Sequence, residues 1–281
     1  MFKCGKLFFL KIDNIKLYIY DSAEKCKYEE PITLVFLRGF PGQMSNWKYQ
    51  VWFFEQTYRT IVYDQRGFGK SDKPLKVSFE NYISDLDAVL EKREVEVENT
   101  VIVGHSFGAM VAQSYASRRN VMGLVLIGSL RKMKPDITDY IIWYTPSFIW
   151  KKIFFTENIL TRRMYRNLMF SPKTPDEVFE EFVGDNREYL ETLLPPHVYR
   201  YGKYLVHYDT TGDLGKIKAP TLVLVGGHDK VTTPKENVEI AKLILNSKII
   251  VIKNAGHLIL CEKPKELNRT IQEFIEEISK K

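Results

Sequence analysis

One serine stands between two glycines in TVIVGHSFGAMVAQ, residues 100–113, where a run of β-branched residues gives way to a helix-like stretch. A strand that reverses abruptly into a helix crowds the turning residue, so the positions two before and two after it must be small. Gly104 and Gly108 meet that need. The Ser106 hydroxyl would then stand at the carboxyl edge of a sheet, beside a helix N-terminus whose free N–H groups favour developing negative charge. A five-residue G-x-S-x-G match is weak alone. Its place at a strand-to-helix junction makes Ser106 a candidate nucleophile, against the alternative of a polar turn residue.

A serine hydroxyl needs a base to take its proton. Of the five histidines, His105 adjoins Ser106 and would point to the other side of the turn, while His197 and His207 lie in or just after a long interruption of the strand pattern. His257, in KNAGHLILCEKP, follows the last apolar run and falls at the same carboxyl edge as Ser106, where open α/β sheets collect ligands. The base in turn needs a carboxylate to hold its tautomer. Asp229, in TLVLVGGHDKVTTP, directly follows the preceding run, whereas GLVLIG is followed by Ser129, Leu130, Arg131 and Lys132. His228 reads as a loop residue.

The elements that must carry these residues alternate. LFFLKI and KLYIYD, joined at Asp13-Asn14, read as an antiparallel hairpin. ITLVFL, TIVYD, TVIVG, GLVLIG, TLVLVG and KIIVIK are apolar almost throughout, as strands covered on both faces require. FENYISDLDAVLEKREV and KENVEIAKLIL carry helical periodicity between them, so a mainly parallel, doubly covered sheet follows. The rhythm breaks across residues 129–220, too long for one crossover helix and too apolar for a disordered loop. Residues 131–212 are therefore expected to form an inserted subdomain, leaving 1–130 and 213–281 as the core. TPDEVFEEF within it begins like a helix with Thr174 as N-cap, Pro175 in the first position and Glu177 three residues on.

Composition narrows the classes. The 281 residues are 44% hydrophobic and 27% charged, ordinary for one globular unit with an insertion. The net charge of +6 is spread along the whole chain, which argues against a nucleic-acid partner. LFFL near the N-terminus is too short for a signal-peptide core, and with no transmembrane run the expectation is a cytoplasmic protein. Cys4, Cys26 and Cys261 lack metal-site spacing and read as reduced thiols; Cys4 and Cys26 flank the hairpin and leave a bridge between them open. Richness in Lys, Glu and Ile hints at a thermophilic source.

At these residues the chain resembles the α/β-hydrolase superfamily, in its small serine-hydrolase branch of esterases and lactonases. YDQRGFGKSD, residues 63–72, is similar to the family's D-x-R-G-x-G-x-S loop, APTLVLVGGHD and NAGHLILCEKP resemble its acid and base segments, and Ser106, Asp229, His257 follow its chain order. The resemblance implies an α/β-hydrolase fold, an eight-stranded mostly parallel sheet with a helical cap, and no cofactor or metal. It also implies an oxyanion hole from the backbone N–H groups of Phe40 and Phe107. Asp64 and Arg66 would organise their loop. One departure is clear: LRGFPGQ carries Arg38 where the family's H-G-x-P has histidine. Arg38 reads either as a brace of that loop or as a contact for an acidic substrate group.

Tyr140, Trp143, Tyr144, Phe148, Trp150, Phe154 and Phe155 supply apolar surface for packing the cap or lining a pocket, with Trp143, Tyr144 and Phe148 the pocket candidates. Lys151, Lys152, Arg162, Arg163 and Arg166 interleave with them; a solvated face is expected over a membrane contact. The implied activity is hydrolysis of small apolar esters through an acyl-enzyme on Ser106. Lactones, carbon–carbon bonds of ring-cleavage products, or ligand binding without turnover are the other readings. Epoxide hydrolases and haloalkane dehalogenases of the superfamily use an aspartate where this chain has Ser106, and a proline-releasing peptidase would carry HGGPG where this chain reads RGFPG.

Overall fold

In the computed structural model, which describes residues 4–154 and 157–280 with the side chains of 151–154 excepted, eight strands form one sheet in the order β1-β2-β4-β3-β5-β6-β7-β8. The strands are β1 (Lys6–Ile12), β2 (Ile15–Asp21), β3 (Thr33–Leu37), β4 (Arg59–Tyr63), β5 (Thr100–His105), β6 (Gly123–Ile127), β7 (Thr221–Gly226) and β8 (Ser247–Ile252). The β1–β2 hairpin turns at Asp13-Asn14 with Ile12 opposite Ile15, and Asp13 takes a φ of 49°. β2 runs antiparallel to β4; from β4 to β8 all pairs are parallel.

Alternation along the strands builds two cores. Val35 and Leu37 of β3 face one side, where Leu86 and Val89 of α2 (Phe79–Lys92), Met110 and Val111 of α3 (Phe107–Ala116) and Ile240 of α10 (Pro234–Leu243) cover them. Leu34 and Phe36 face the other, covered by Val51 and Phe54 of α1 (Lys48–Phe54) and by Leu267, Ile271 and Ile275 of the helix Pro264–Ser279. β3, β5, β6 and β7 are buried at every position, which explains their unbroken apolar runs. β8 differs from the expectation: it closes the sheet edge, and Ile250 and Val251 remain exposed although KIIVIK reads as a doubly covered strand.

The chain lays β4 on one side of β3 and then crosses to place β5 on the other. The carboxyl ends of β3 and β5 thus flank the point where the winding reverses, the place where such sheets open a crevice. Leu37 pairs with Gly104 and His105 with Ile127, so the loops after β3 and β5 leave the sheet side by side.

Between β6 and β7 the chain forms α4 (Ile137–Tyr144), α5 (Ser147–Phe154), α6 (Ile159–Met169) and α7 (Asp176–Glu188), then short turns including α8 (Gly202–Leu205) and α9 (Thr211–Leu214). α7 begins one residue later than its sequence suggests: Pro175 is the N-cap, and the Thr174 hydroxyl donates to Glu262 instead of capping the helix. Among the described residues no helix is long and apolar enough to cross a membrane, and no disulfide joins Cys4 to Cys26.

Candidate active site

Ser106 turns the chain from β5 into α3 with φ 53° and ψ −119°, a conformation that L-residues adopt only when their surroundings enforce it. The enforcement is visible: the Ser106 N–H donates to Ile127 O at 2.9 Å, a Cβ on Gly104 would lie 2.6 Å from Gly108 O, and one on Gly108 would collide with the Leu37 carbonyl. Phe107 opens α3, so its N–H is among those with no partner inside the helix. In the loop after β3, Gly42 N–H donates to Gly39 O at 2.9 Å, and the Phe40 N–H has no hydrogen bond among the described residues. Phe40, Ser106 and His257 line one cavity.

His257 sits in the loop after β8 and Asp229 in the loop after β7. His257 Nδ1 donates to Asp229 Oδ2 at 2.8 Å, with both side chains buried. That bond places the proton on Nδ1 and leaves Nε2 as the acceptor, the form a general base needs. Asp229 Oδ1 also accepts the N–H groups of Val231 and Thr232, each at 2.8 Å, and Oδ2 accepts the Thr232 hydroxyl at 2.8 Å. Burial opposes the charge on Asp229, but His257 and these hydrogen bonds outweigh it and hold the carboxyl below its usual value. Among the described residues no hydrogen bond joins Ser106 to His257; such bonds commonly tighten only when substrate is bound.

The other histidines have distinct places. His105 Nε2 donates to His257 O at 2.9 Å, and burial, with the neighbouring His257, pushes its pKa down to about 3. A neutral His105 puts no positive charge beside His257. His228 Nδ1 shares a 2.7 Å hydrogen bond with Ser171 Oγ, His197 Nε2 donates to Lys73 O at 3.1 Å, and His207 is exposed. Asp64 accepts the N–H groups of Met44 at 2.7 Å and Lys70 at 2.9 Å, and Arg66 pairs with Asp85, so both organise their loop.

The inserted segment forms one wall of the cavity through Tyr165, Met169, Phe182, Asn186 and Leu190. A second apolar cavity shares Tyr165, Phe182, Asn186 and Leu190 with it and is rimmed by Glu157, Arg162 and Arg187. The aromatic pocket candidates Trp143, Tyr144 and Phe148 stand apart from these two cavities. Trp143 is buried against Gly202, while Tyr144 and Phe148 are 71% and 81% exposed, and none of the three lines either cavity. Aromatic density marked α4 and α5, but α6 and α7 face the site. Tyr140 is exposed and Trp150 packs edge-on to Tyr199 at 5.2 Å; the side chains of Lys151, Lys152 and Phe154, and all of Phe155, lie outside the described residues.

Sequence reasoning missed Thr232 and Glu262. An Asp followed three residues on by Thr signals the first, a local turn with side-chain bonds. Glu262 gives no local signal, because its partners Gly256, Ser171 and Thr174 belong to two separate segments. Those segments are stitched further: Met169 O accepts the N–H of His257 at 2.8 Å and of Leu258 at 3.2 Å. Among the described residues no group of three or more His, Cys, Asp or Glu side chains could hold a metal ion.

With an elbow serine at the switch point, and a buried Asp–His pair opening on the same cavity, the architecture defines a class. The family model of the alpha/beta hydrolase fold matches residues 32–264, and the chain belongs to that family. It is similar to a proline iminopeptidase of Thermoplasma volcanium, 27% identical over 95% of this chain and 96% of that one, and to epoxide hydrolase 3 of Xenopus tropicalis, 25% identical over 95% and 77%. Among solved structures it is similar to Est816, described as an N-acyl homoserine lactone degrading enzyme, with a TM-score of 0.78 and 26% identity over 95% of this chain and 99% of that one.

Proposed function

We propose that the protein is a serine hydrolase of small apolar carboxylic esters, lactones being their cyclic form. The observation that carries the reading is the buried 2.8 Å bond from His257 Nδ1 to Asp229, set on the cavity that Ser106 also lines. Ser106 Oγ attacks the ester carbonyl carbon while His257 Nε2 takes its proton. Asp229 holds the imidazole and stabilises the imidazolium that forms. The carbonyl oxygen becomes an oxyanion held by the Phe40 and Phe107 N–H groups. The C–O bond to the alcohol then breaks as His257 returns the proton to the departing oxygen, leaving an acyl-serine. Water, deprotonated by His257, releases the acid and restores Ser106.

The similarity to a lactone-degrading enzyme supports a carbonyl substrate of this kind, and a serine at the elbow supports an acyl intermediate over epoxide opening by a carboxylate. In this reading residues 131–212 act as the cap, the shared wall of the two cavities takes the acyl or alcohol group, and the protein works in the cytoplasm. Steady-state hydrolysis of p-nitrophenyl esters from acetate to decanoate, and of N-acyl homoserine lactones, compares the wild type with Ser106→Ala. The expected result is turnover in the wild type and a loss of about 10⁴-fold or more in the variant. Equal rates in both proteins would overturn the reading.

A further inference from the structure

Arg38 is 1% exposed, and no carboxylate is hydrogen-bonded to it among the described residues. Its guanidinium lies over the Phe68 ring, 3.6 Å from the centroid, and Nη1 donates to Gly39 O. Among the described residues Nε and Nη2 have no hydrogen-bond partner, and the hydroxyls of its electrostatic neighbours Tyr63 and Tyr82 have none either. Asp64, the nearby countercharge, spends its oxygens on the N–H groups of Met44 and Lys70. Burying a cation with orphaned donors is costly. Fold stability alone is therefore a poor reason for arginine at this position.

The one side-chain hydrogen bond of Arg38 among the described residues falls on a particular peptide group. Gly39 C=O and Phe40 N–H are the two ends of the same planar unit. In a trans peptide they point in opposite directions, so whatever fixes the carbonyl fixes the N–H. Two donors fix it here: Gly42 N–H at 2.9 Å and the Arg38 guanidinium. A cation on the carbonyl oxygen also polarises the amide, and a polarised amide donates more strongly from its nitrogen.

We infer that Arg38 is a positioning residue for the oxyanion hole, which aims and strengthens the Phe40 N–H by holding the far end of its peptide group. The inference rests on the proposed serine mechanism. It assigns Arg38 to the transition state instead of to substrate binding, and it gives a reason for a cation buried beside the loop. Lysine can reach the same oxygen with a charge; methionine fills the space with neither charge nor donor.

Two measurements on p-nitrophenyl butyrate and an alkyl trifluoromethyl ketone test it, the ketone forming a tetrahedral oxyanion on Ser106. Arg38→Met is expected to lower kcat by about 10- to 100-fold, less than the 10²–10³ of deleting a donor outright. KM should change little, the ketone should bind more weakly by a similar factor, and Arg38→Lys should recover most of both. If Arg38→Met does not fold, Arg38→Gln, uncharged but still a donor, is expected to fall between lysine and a full loss. A rise in KM with kcat preserved would overturn the inference in favour of a substrate contact. A fall in kcat with ketone affinity unchanged, or one that merely tracks the fraction of folded protein, would overturn it in favour of a structural brace. Ser106→Ala separates the two levels: if that variant still turns over ester, the serine mechanism itself fails, whatever Arg38 does.

Discussion

Glu262 Oε1 accepts the backbone N–H of Gly256 at 2.9 Å, one residue before His257. Its Oε2 accepts the Ser171 N–H at 2.8 Å and the Thr174 hydroxyl, both from the inserted segment. One buried carboxylate therefore joins the loop of the candidate base to the wall of the cavity. Glu262→Gln replaces one acceptor oxygen with an amide group that confronts N–H donors. The expected outcome is a loss of about 1–3 kcal/mol in urea unfolding, with kcat falling more than KM rises. Unchanged stability would show that the segments are held elsewhere.

Thr232 gives Asp229 a second side-chain donor, with its hydroxyl 2.8 Å from Asp229 Oδ2 and 3.2 Å from His257 Nδ1. The Asp229 carboxyl is held below its unfolded value, so its contribution to stability is present above that value and disappears as pH falls through the folded one. Thr232→Val keeps the shape and removes the donor. The expected result is an onset of acid destabilisation at higher pH than in the wild type, read from urea midpoints across an acid titration.

His105 behaves in the same direction for a different reason. Its folded pKa of about 3 lies below the unfolded histidine value of about 6.5, so between them the unfolded chain binds the extra proton. Stability is complete above the higher value and is lost as pH drops through the window, by at most about 1.4 kcal/mol per pH unit. His105→Gln, which retains a donor for His257 O, is expected to flatten that slope. An equal slope in both proteins would mean that His105 is protonated in the fold.

Phe182 lines both cavities. Phe182→Ala is expected to join them and to move the optimum of kcat/KM toward longer p-nitrophenyl esters, with a stability loss of about 1–3 kcal/mol. An unmoved optimum would place the acyl chain against another wall.

The sequence made legible what is local or tied to a strand end. The glycines around Ser106, and the positions of Asp229 and His257 just past β7 and β8, follow from short-range sterics and from apolar runs that a doubly covered sheet demands. Residues whose roles depend on distant partners were hidden. Thr174 reads as a helix cap until Glu262, far along the chain, takes its hydroxyl. Trp143, Tyr144 and Phe148 attract notice by type, yet which helix of an insertion faces the sheet depends on how it docks, and α4 and α5 are apolar on more than one side. Tyr165, Asn186 and Leu190 carry no motif that marks them as a cavity wall.

The paired bonds onto the Met169 carbonyl tie the docking of the inserted segment to the seating of the His257 backbone. A chain whose core has formed but whose inserted segment has not yet docked lacks the acceptor for the His257 and Leu258 N–H groups. It also lacks the Ser171 and Thr174 donors that anchor Glu262. Such a half-built molecule would keep the His257–Asp229 bond but hold the His257 backbone less firmly opposite Ser106. On the proposed serine mechanism, activity would therefore rise with the docking of the inserted segment and not with the formation of the core alone.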